Sequence, residues 1–349
     1  MFILHVHDRW SALGGADWHL LSLLDCWPSD IRVAGAFGRR DGSVPLEIKP
    51  PGLFFIKKLD KKAPFQAEEK VGWSLLELIE TLKPDVVHVH NILNPHLLAR
   101  AAGTGRAVIT VQDHRYFCPG RGKVRADGGL CNRLLGLACA ECFEDEGYFL
   151  RLLELARARL AALHGFKAII VLSRYMKDQL VQAGLGADLI HVIPPFVHGL
   201  DQTYSPAAFG RDVLFAGRIV WAKGVFDLLE ALALADRSIR LTFAGAGTID
   251  EKVKSEVARL GLDNRVSFSG WTPHAEMTRV YRQARLVVLP SRWQEPFGIV
   301  GLEAQALGRP VAAYDVGGVR DWLEDGVTGL IAPAGNVLAL ASCLNVLTR

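Results

Sequence analysis

The sequence predicts an α/β protein of two domains, each built on a doubly wound parallel sheet. Three observations lead to this prediction. The chain has 349 residues, about twice the length of an average domain. Short apolar runs alternate with longer segments of helical period, which is typical of parallel sheets covered by helices on both faces. From Pro194-Pro195 to Arg211, Pro, Gly, Ser and polar residues cluster and this alternation fades, which marks a linker at 196–211.

The first domain, residues 1–195, contains six predicted strands. They are the apolar runs Phe2–Val6, Ile31–Phe37, Asp85–His90, Ala107–Val111, Ala168–Leu172 and Leu189–Ile193. Segments of helical period lie between the strands, at Gly72–Leu82, Tyr148–His164 and Arg174–Ala183. Ser173 stands just before the last of these helices, where its hydroxyl can cap the free amides of the first turn.

The second domain, residues 212–349, repeats this rhythm. Its predicted strands are Val213–Ala216, Arg240–Ala244, Val266–Ser269, Leu286–Leu289, Pro310–Tyr314 and Gly329–Ile331. Its predicted helices are Phe226–Ala235, Asp250–Leu260, Ala275–Ala284, Val300–Gly308, Val319–Glu324 and Asn336–Leu347. Ligands of open α/β sheets bind beyond the carboxyl ends of the strands, so the loops that follow the strands should carry the functional residues.

Composition excludes several classes of protein. Half of the residues are apolar and 22% are charged, which excludes a disordered chain or a coiled coil. The net charge of +3 is too small to indicate a nucleic-acid binder. No apolar run approaches the roughly 20 residues of a membrane span, and the first residues have the pattern of a strand and not of a signal peptide. A cytoplasmic enzyme is expected.

Two carboxylates flank a predicted helix start in the second domain. Glu295 lies in the loop after a strand, and Glu303 lies about one turn inside the following helix. Free amides at a helix start bind phosphate well, and carboxylates can accept hydrogen bonds from sugar hydroxyls. A solvated Glu303 and a simple loop charge at Glu295 remain the alternative. The amides at this helix start belong to Phe297, Gly298 and Ile299.

Two cations lie in the loop after the strand Val213–Ala216. Arg218 and Lys223 belong to the segment Gly217-Arg-Ile-Val-Trp-Ala-Lys-Gly224, which precedes a helix. An arginine gives bidentate contacts and a lysine gives a point charge, so together they can bind an anion at the carboxyl edge of the sheet. Either residue alone would be an ordinary surface cation.

In these two motifs the chain resembles glycosyltransferase family 4, whose members are retaining transferases of the GT-B fold. The matching patterns are G-R-x-x-x-x-K-G and E-P-F-G-x-x-x-x-E. Further segments follow the family's order, namely Gly245-Ala-Gly247, Ser269-Gly270-Trp271, Leu289-Pro290-Ser291 and Asp315-Val-Gly-Gly318. The resemblance implies GT-B architecture, with two Rossmann-like domains facing across a cleft, the acceptor on the first and the donor on the second.

The resemblance also implies roles for the matching residues. Arg218 and Lys223 would grip the diphosphate of a nucleotide sugar. Glu303 would hold the ribose, and Glu295 would face the transferred sugar. The remaining donor contacts would come from the amides of Phe297, Gly298 and Ile299, and from Gly270 and Trp271 near the base. Because the two cations and the helix dipole already stabilise the leaving diphosphate, no metal cofactor is expected for catalysis.

The first domain offers two further loops. Leu13-Gly14-Gly15-Ala16-Asp17 follows the first strand and resembles the family's G-G-A/S-E loop, in which Gly15 would approach the donor phosphates. After the strand Ala107–Val111 the family usually carries His-Asp, and here Gln112 stands in place of the histidine, followed by Asp113. A glutamine cannot titrate, so it cannot serve as a base.

His114 stands one residue later and is the candidate substitute for the missing histidine. The alternative is a half-buried polar residue of the loop. Retaining transfer in this fold is usually assigned to a front-face route in which the leaving phosphate deprotonates the acceptor, which makes a protein base less necessary. The candidate catalytic residues are therefore Glu295, Gln112, Asp113 and His114.

Four of the six cysteines lie in a predicted insertion, residues 115–145. Cys118, Cys131, Cys139 and Cys142 have the spacing C-x12-C-x7-C-x2-C. A structural zinc ion would fix this otherwise structureless stretch, whereas free thiols or a disulfide remain alternatives. Residues 115–133 of the insertion also have an excess of cations that would steer an acidic acceptor towards the site. These cations are Arg115, Arg121, Lys123, Arg125 and Arg133, set against Asp127.

The segment Phe54–Lys62 combines three consecutive apolar residues with four lysines. It would rest on an anionic membrane surface and bring the enzyme to a lipid-linked acceptor. A strand followed by a solvated lysine loop is the alternative. Residues 1–195 contain 24 basic and 21 acidic residues and the remainder contains 16 of each, so the basic surplus lies in the acceptor-side domain.

The sequence therefore predicts a retaining glycosyltransferase. It would move a sugar from a nucleotide-diphosphate donor to a glycan or lipid-linked acceptor in cell-surface polysaccharide or glycoconjugate biosynthesis, in the cytoplasm or at the inner face of a membrane. A GT-B nucleotide-sugar epimerase and a non-catalytic nucleotide-sugar-binding protein are alternatives. A dehydrogenase is disfavoured because Gly245-Ala-Gly247 lacks the third glycine of a dinucleotide fingerprint. Since the chain ends at Arg349, we expect the second domain to lack the family's final crossover helix.

Overall fold

The structure, a computed structural model, describes residues 1–44, 52–60, 62, 68–125, 127–198, 200 and 212–349. The chain divides into two units, residues 1–195 and 196–349. Apart from 196–198 and 200, the linker predicted at 196–211 lies outside the described residues. Each unit contains one parallel sheet with its own apolar core.

The first unit contains a seven-stranded parallel sheet. Its strands are β1 (Phe2–His7), β2 (Arg32–Phe37), β3 (Leu53–Phe55), β4 (Val86–His90), β5 (Ala107–Val111), β6 (Ala168–Val171) and β7 (Ile190–Val192). Their order in the sheet is β3-β2-β1-β4-β5-β6-β7. The order reverses between β1 and β4, where a doubly wound sheet forms a crevice at its carboxyl edge. All six predicted strands are confirmed.

The helices of the first unit are α1 (Gly15–Asp25), α2 (Glu68–Leu82), α3 (Pro95–Ala102), α4 (Glu146–Leu163) and α5 (Arg174–Gln182). The predicted cap of α5 is confirmed, because the Ser173 hydroxyl accepts the amide of Met176 at 3.2 Å. Helix α3 was not predicted. Its signal is Asn94-Pro95, in which the asparagine side chain accepts the amide of His96 at 3.0 Å and the proline occupies the first helical position.

The second unit contains a six-stranded parallel sheet. Its strands are β8 (Asp212–Ala216), β9 (Arg240–Ala244), β10 (Val266–Gly270), β11 (Leu286–Leu289), β12 (Val311–Tyr314) and β13 (Gly329–Ala332). Their order is β10-β9-β8-β11-β12-β13, with the reversal between β8 and β11. Central strands such as β11 are buried along their whole length, as their uninterrupted apolar runs require.

The helices of the second unit are α6 (Val225–Leu234), α7 (Asp250–Arg259), α8 (His274–Gln283), α9 (Ile299–Ala306) and α10 (Val337–Leu347). The helix predicted at Val319–Glu324 is wrong, because a short 3₁₀ turn, Gly317–Asp321, takes its place. Gly317 has a left-handed φ of +55°, and the Gly318 amide donates to the carbonyl of Glu295 at 2.8 Å, which ties the turn to a neighbouring loop. In the described part of the chain, no helix has both the length and the hydropathy needed to cross a bilayer.

Candidate functional site

Two loops meet at the point where the strand order of the second unit reverses. They follow β8 and β11, and each carries one of the predicted donor motifs. The carbonyl of Ala222 accepts the amide of Arg292 at 2.9 Å. Gly224 has a φ of +66°, and a Cβ atom there would lie 1.8 Å from the carbonyl oxygen of Pro290. Glycine is therefore required for the two loops to approach this closely.

Lys223 and Glu295 form an ion pair between these loops. The lysine Nζ lies 2.5 Å from Glu295 Oε1, and the hydroxyl of Ser291 donates to the same oxygen. Glu295 is only 4% exposed. Burial opposes its charge, but the Lys223 ammonium outweighs burial and holds the pKa of the Glu295 carboxyl below its ordinary value. Glu295 is thus an ionised and fixed acceptor, and the interpretation of it as a simple loop charge is wrong.

The start of α9 presents free backbone donors. Gly298 is its N-cap and has a left-handed φ of +99°. Within the described ranges, no residue accepts a hydrogen bond from the amides of Phe297, Gly298 or Ile299. The indole of Trp322 donates to the Phe297 carbonyl at 2.6 Å, and its ring lies where a Cβ on Gly301 would be. The helix start is therefore held in place with its amides available to an anion.

Glu303 lies on α9 and is only 7% exposed. It accepts the Tyr281 hydroxyl at 2.6 Å and is 3.2 Å from Nε2 of His274. Burial and the adjacent carboxylate raise the pKa of Tyr281 well above its ordinary value, so the tyrosine stays a donor. The interpretation of Glu303 as a solvated helix residue is wrong. Both partners come from α8, more than 20 residues away, and no local sequence signal joins them to Glu303.

Two other predicted donor residues are exposed. The Arg218 side chain has no hydrogen-bond or ion-pair partner among the described residues. Gly270 ends β10 with a φ of +72°, and Trp271 follows it with 52% of its surface exposed. A free guanidinium can make bidentate contacts to a phosphate, and an exposed indole offers a face for stacking.

A buried carboxylate that was not predicted supports these loops. Asp227 on α6 accepts two hydrogen bonds of 2.8 Å from Arg292, which lies in the loop after β11. The Tyr314 hydroxyl at the end of β12 donates to the same carboxylate at 3.0 Å. The three side chains connect α6, β12 and the Glu295 loop, so they fix the loop that carries the predicted chemistry.

The glycines of Gly245-Ala-Gly247 serve loop packing. A Cβ atom on Gly245 would lie 1.9 Å from the carbonyl oxygen of Gly217, and one on Gly247 would lie 1.9 Å from that of Ile219. The loop after β9 therefore touches the backbone of the loop after β8. This contact accounts for both glycines without a dinucleotide.

In the first unit, α1 begins at Gly15, directly after Gly14. Asp17 in the first turn is buried and pairs with Arg9 at 2.9 Å. Burial raises the pKa of the Asp17 carboxyl, although the arginine opposes that rise. Asp17 therefore anchors the loop after β1.

Gln112 and Asp113 lie at the carboxyl end of β5. The Gln112 amide nitrogen is 2.6 Å from Nδ1 of His19 on α1. Asp113 accepts the amide of Arg115 at 2.8 Å, and its other oxygen lies 2.6 Å from the Arg115 guanidinium. Burial opposes its charge, but Arg115 holds the pKa of the Asp113 carboxyl below its ordinary value. Asp113 is thus a fixed, ionised carboxylate.

His114 is directed into the interior of the first unit. It is 1% exposed, its Nε2 lies 3.1 Å from the Tyr175 hydroxyl, and its ring packs against Phe117. The structure therefore places His114 in the core, apart from the half-accessible Gln112 and Asp113.

A row of histidines under α1 was not predicted. This histidine stripe consists of His5 and His7 on β1 and of His88 and His90 on β4, paired in register. His5 Nδ1 lies 3.0 Å from His90 Nε2, and His88 Nε2 lies 2.7 Å from the Thr110 hydroxyl. Burial lowers the pKa of His5 to about 3, and those of His88 and His90 well below the ordinary value. The missed signal is His-x-His in both strands, which places each pair on one face.

Two groups in the described part of the chain bring possible metal ligands within 4.8 Å of one another. They are His5, His88 and His90, and His7, Asp8 and Asp17. The imidazoles of the first group already bind one another and a threonine hydroxyl. The second group is paired with Arg9, whose charge opposes a cation. The four clustered cysteines belong to neither group. They are free thiols that line a cavity of about 200 Å³.

The cations of the cysteine insertion are largely neutralised. Arg125 pairs with Asp127 at 3.0 Å, and Arg133 pairs with Glu141 at 2.7 Å. Lys123 is buried. The insertion thus presents less free positive charge than its sequence indicated.

The segment that was predicted to contact a membrane mostly has a structural role in the first unit. Its first residues form β3 at the edge of the sheet, and Ile56 and Leu59 are buried, so the strand alternative is confirmed. Phe55 remains 49% exposed. Lys61 lies outside the described residues.

Comparisons with known proteins agree with this geometry. Residues 13–198 match the family described as Glycosyltransferase Family 4, and residues 209–347 match the family described as Glycosyl transferases group 1. An alpha-D-kanosaminyltransferase of Streptomyces kanamyceticus is 38% identical over 124 residues, which are 35% of this chain and 32% of the relative. A glycogen synthase of Mycobacterium tuberculosis is 31% identical over 187 residues, which are 51% of this chain and 44% of the relative. The chain thus matches a third to a half of the length of these relatives.

Solved structures extend the likeness to the whole fold. The crystal structure of Anabaena HepE in complex with UDP-glucose is 20% identical, with a TM-score of 0.75, and the match covers 99% of this chain and 89% of that one. A lipopolysaccharide outer core galactosyltransferase, WaaB, gives a TM-score of 0.69 at 19% identity, covering 99% of this chain and 90% of that one. The first family match alone spans more than half of the chain. The chain therefore belongs to glycosyltransferase family 4. Its two units, each built on a doubly wound parallel sheet, have the GT-B glycosyltransferase fold.

Proposed function

We propose that this chain transfers a sugar from a nucleotide-diphosphate sugar to a glycan or lipid-linked acceptor, with retention of the anomeric configuration. The observation that supports the proposal most is the 2.5 Å contact of Lys223 with the buried Glu295, which lies in the loop that leads to the free amides of α9. That arrangement combines a cation and backbone donors for phosphate with a fixed carboxylate for sugar hydroxyls. The complex of HepE with UDP-glucose supports a donor of this class.

The diphosphate would be held by Arg218, Lys223 and the amides at the start of α9. Glu303, fixed by its two partners on α8, would accept hydrogen bonds from the ribose hydroxyls. Trp271 would stack near the base. These groups stabilise the charge that develops on the diphosphate as it leaves, which is the main electrostatic task of the reaction, so no metal cofactor is assigned to catalysis.

In the transfer step, the bond between the anomeric carbon and the diphosphate oxygen breaks and the acceptor oxygen bonds to that carbon on the same face. The acceptor proton moves to the leaving phosphate oxygen. Glu295 would orient the sugar through its hydroxyls. Gly15, Gln112 and Asp113 are the first-unit residues that we assign to substrate contacts. We assign none to His114 because its ring is buried against Tyr175.

A non-catalytic nucleotide-sugar binder is the second candidate, favoured by one observation. Gln112 takes the place of the family's histidine and cannot titrate. Binding alone does not separate the two candidates, but turnover does. The epimerase alternative is not supported, because the relatives of the chain are transferases and synthases.

The test begins with a thermal-shift panel of nucleotide sugars and continues with an acceptor array, scored by release of the nucleoside diphosphate. We expect one donor to give turnover, and nuclear magnetic resonance of the product to show the donor's anomeric configuration. Lys223→Ala and Glu303→Ala should abolish turnover, and Lys254→Ala, on the exposed face of α7, should not. Wild-type rates in both site variants would contradict the donor site, and binding without turnover for every acceptor would favour the second candidate.

We further propose that a lipid-linked acceptor would be met at the inner face of a membrane, within cell-surface polysaccharide or glycoconjugate synthesis. Phe55 and Lys57 are exposed and two residues apart, and they support this contact as an apolar and a cationic side chain next to each other in the chain. Flotation with anionic vesicles tests it. Phe55→Ser should reduce binding, and equal flotation of the wild type with neutral vesicles would contradict the electrostatic part.

A further inference from the structure

The segment between β5 and α4 contains a cluster of thiols that the proposed sugar transfer does not use. In the described residues of this segment, regular secondary structure consists of two 3₁₀ turns, His114–Tyr116 and Leu137–Cys142, and one small hairpin. Each cysteine of the cluster is presented by a specific local structure.

Cys118 begins a tight loop that contains two consecutive left-handed residues. Gly122 and Lys123 have φ values of +69° and +63°. A lysine rarely adopts this conformation, and here the Lys123 ammonium is fixed by a 2.6 Å hydrogen bond to the Arg133 carbonyl. The loop that carries the half-buried Cys118 is therefore held in a defined conformation.

The hairpin places Cys131 next to this loop. The amide of Arg125 donates to the Gly129 carbonyl at 2.8 Å, and the Cys131 amide donates to the Lys123 carbonyl at 2.9 Å. The second cysteine is therefore hydrogen-bonded to Lys123, in the loop that Cys118 begins.

Cys139 and Cys142 lie three residues apart in the 3₁₀ turn. Side chains at that spacing are eclipsed in a 3₁₀ helix, so both sulfurs lie on one side of the turn. A Cβ atom on Gly120 would lie 3.7 Å from the sulfur of Cys142, so this side of the turn faces the Cys118 loop.

We propose that Cys118, Cys131, Cys139 and Cys142 bind one zinc ion that fixes this segment. All four residues line the cavity of about 200 Å³. No three of their sulfurs lie within 4.8 Å of one another, as the ligand atoms of the two histidine and carboxylate groups do, whereas a tetrahedral zinc site places its sulfurs about 3.8 Å apart. Zinc binding therefore requires the four sulfurs to move closer together.

Zinc fits these four thiols better than two disulfides would. Two disulfides would join the cysteines in pairs and would not require all four residues to converge on a single cavity, as they do here. Closed sites of four thiolates are the usual form of structural zinc.

The metal would also fix the turn next to Asp113. The amides of Phe117 and Cys118 both donate to the His114 carbonyl, at 2.9 and 2.7 Å. Cys118 is therefore directly connected to the turn that Asp113 caps. Zinc binding does not depend on the proposed sugar transfer, because none of the four cysteines is assigned to substrate.

The experiment measures metal in the full chain purified without an affinity metal under reducing conditions. We expect about one zinc per chain in the wild type and in Cys26→Ser, whose thiol is exposed and outside the cluster. Cys139→Ser/Cys142→Ser should contain less than about a tenth of that amount. Replacement of zinc by Co²⁺ in the wild type should give the visible absorption of a tetrahedral thiolate site, a readout that does not depend on any variant.

Two results would overturn the proposal. One is wild-type protein that contains no zinc and takes up neither Zn²⁺ nor Co²⁺ after reduction. The other is a thiol titration of the denatured chain, prepared without reductant, that finds four of the six thiols lost to disulfides. In contrast, slow alkylation of four thiols that becomes fast when a chelator removes the metal would support the zinc proposal.

Discussion

Glu303 has both carboxylate oxygens engaged, one by the Tyr281 hydroxyl and the other by the His274 ring. Because these partners come from α8, the carboxylate cannot swing away from the start of α9. Glu295 is held in the same manner by Lys223 and Ser291. At the scale of single residues, the site therefore consists of acceptors that are fixed before any ligand binds, which lowers the entropic cost of binding.

Replacement of Glu303 should weaken binding of the nucleoside part of the donor. For Glu303→Gln, which can still accept the Tyr281 hydroxyl, we expect the Kd of a nucleoside diphosphate to rise about 10-fold or more, since hydrogen bonds to a charged group contribute about 1.5–3 kcal/mol. Inorganic pyrophosphate, which has no ribose, should bind as before. Titration calorimetry with both ligands measures the difference, and Glu251→Gln on the exposed face of α7 is the control. Equal weakening for both ligands would contradict the ribose assignment.

Helix α9 is the element on which the proposed donor site depends. Its start is positioned by Trp322, whose ring packs so closely on Gly301 that an added Cβ atom would lie 2.0 Å from it. The same indole donates to the Phe297 carbonyl. The free amides thus keep their direction only while this ring stays in place.

Gly301→Ala should therefore destabilise the protein, although alanine normally favours a helix. We expect a loss of about 1–3 kcal/mol from overpacking, together with weaker donor binding. Gly147→Ala, in the first turn of α4, meets only an ordinary contact at 3.5 Å and should change stability by less than about 1 kcal/mol. Urea unfolding of both variants is the measurement, and equal stability of the two would contradict the packing argument.

The histidine stripe makes the sheet of the first unit sensitive to acid. The folded pKa values of His5, His88 and His90 lie below the ordinary value near 6.5, because burial disfavours the charged rings. Between pH 6.5 and those folded values, the unfolded chain binds more protons than the folded chain. Stability is therefore full above pH 6.5 and falls as the pH drops, by up to about 1.4 kcal/mol per pH unit for each histidine.

Urea unfolding between pH 7.5 and 5 tests this dependence. His88→Gln, which can keep a hydrogen bond to Thr110, should reduce the slope, whereas the exposed His96→Gln should leave it unchanged. A wild-type stability that does not fall across this range would show that the stripe is not held neutral.

Most of the elements could be predicted because parallel strands buried on both faces are uninterrupted apolar runs. Helix α3 was missed because it is only eight residues long and its start was signalled only by Asn94-Pro95. The helix predicted after β12 was wrong because long-range hydrogen bonds from Gly317 and Gly318 stop it. The local sequence pattern indicates the periodicity of a segment, but it gives no information about long-range contacts of this kind.

At the scale of the whole molecule, both units carry loops that we propose to bind substrate where their strand order reverses. The residues that we propose for donor binding could be named from the sequence because their motifs are contiguous. Their supports, such as Asp227 and Tyr281, could not, because each comes from a different element. The fold brings these residues close to the proposed donor residues, and the sequence does not show that proximity.

The central claim is that the loops at the strand reversal of the second unit bind a nucleotide-diphosphate sugar. Arg218 tests it most directly, because its guanidinium has no partner in the described part of the chain, so Arg218→Ala should leave stability unchanged. Arg237→Ala, exposed just before β9 at the opposite edge of the sheet, is the matched control.

The measurement is titration calorimetry of the donor found by the nucleotide-sugar panel. We predict that the wild type and Arg237→Ala bind it equally and that Arg218→Ala binds it about 10-fold or more weakly, as expected for loss of a charge-assisted contact. Equal affinity of all three proteins, or no binding of any nucleotide sugar by the wild type, would contradict the account.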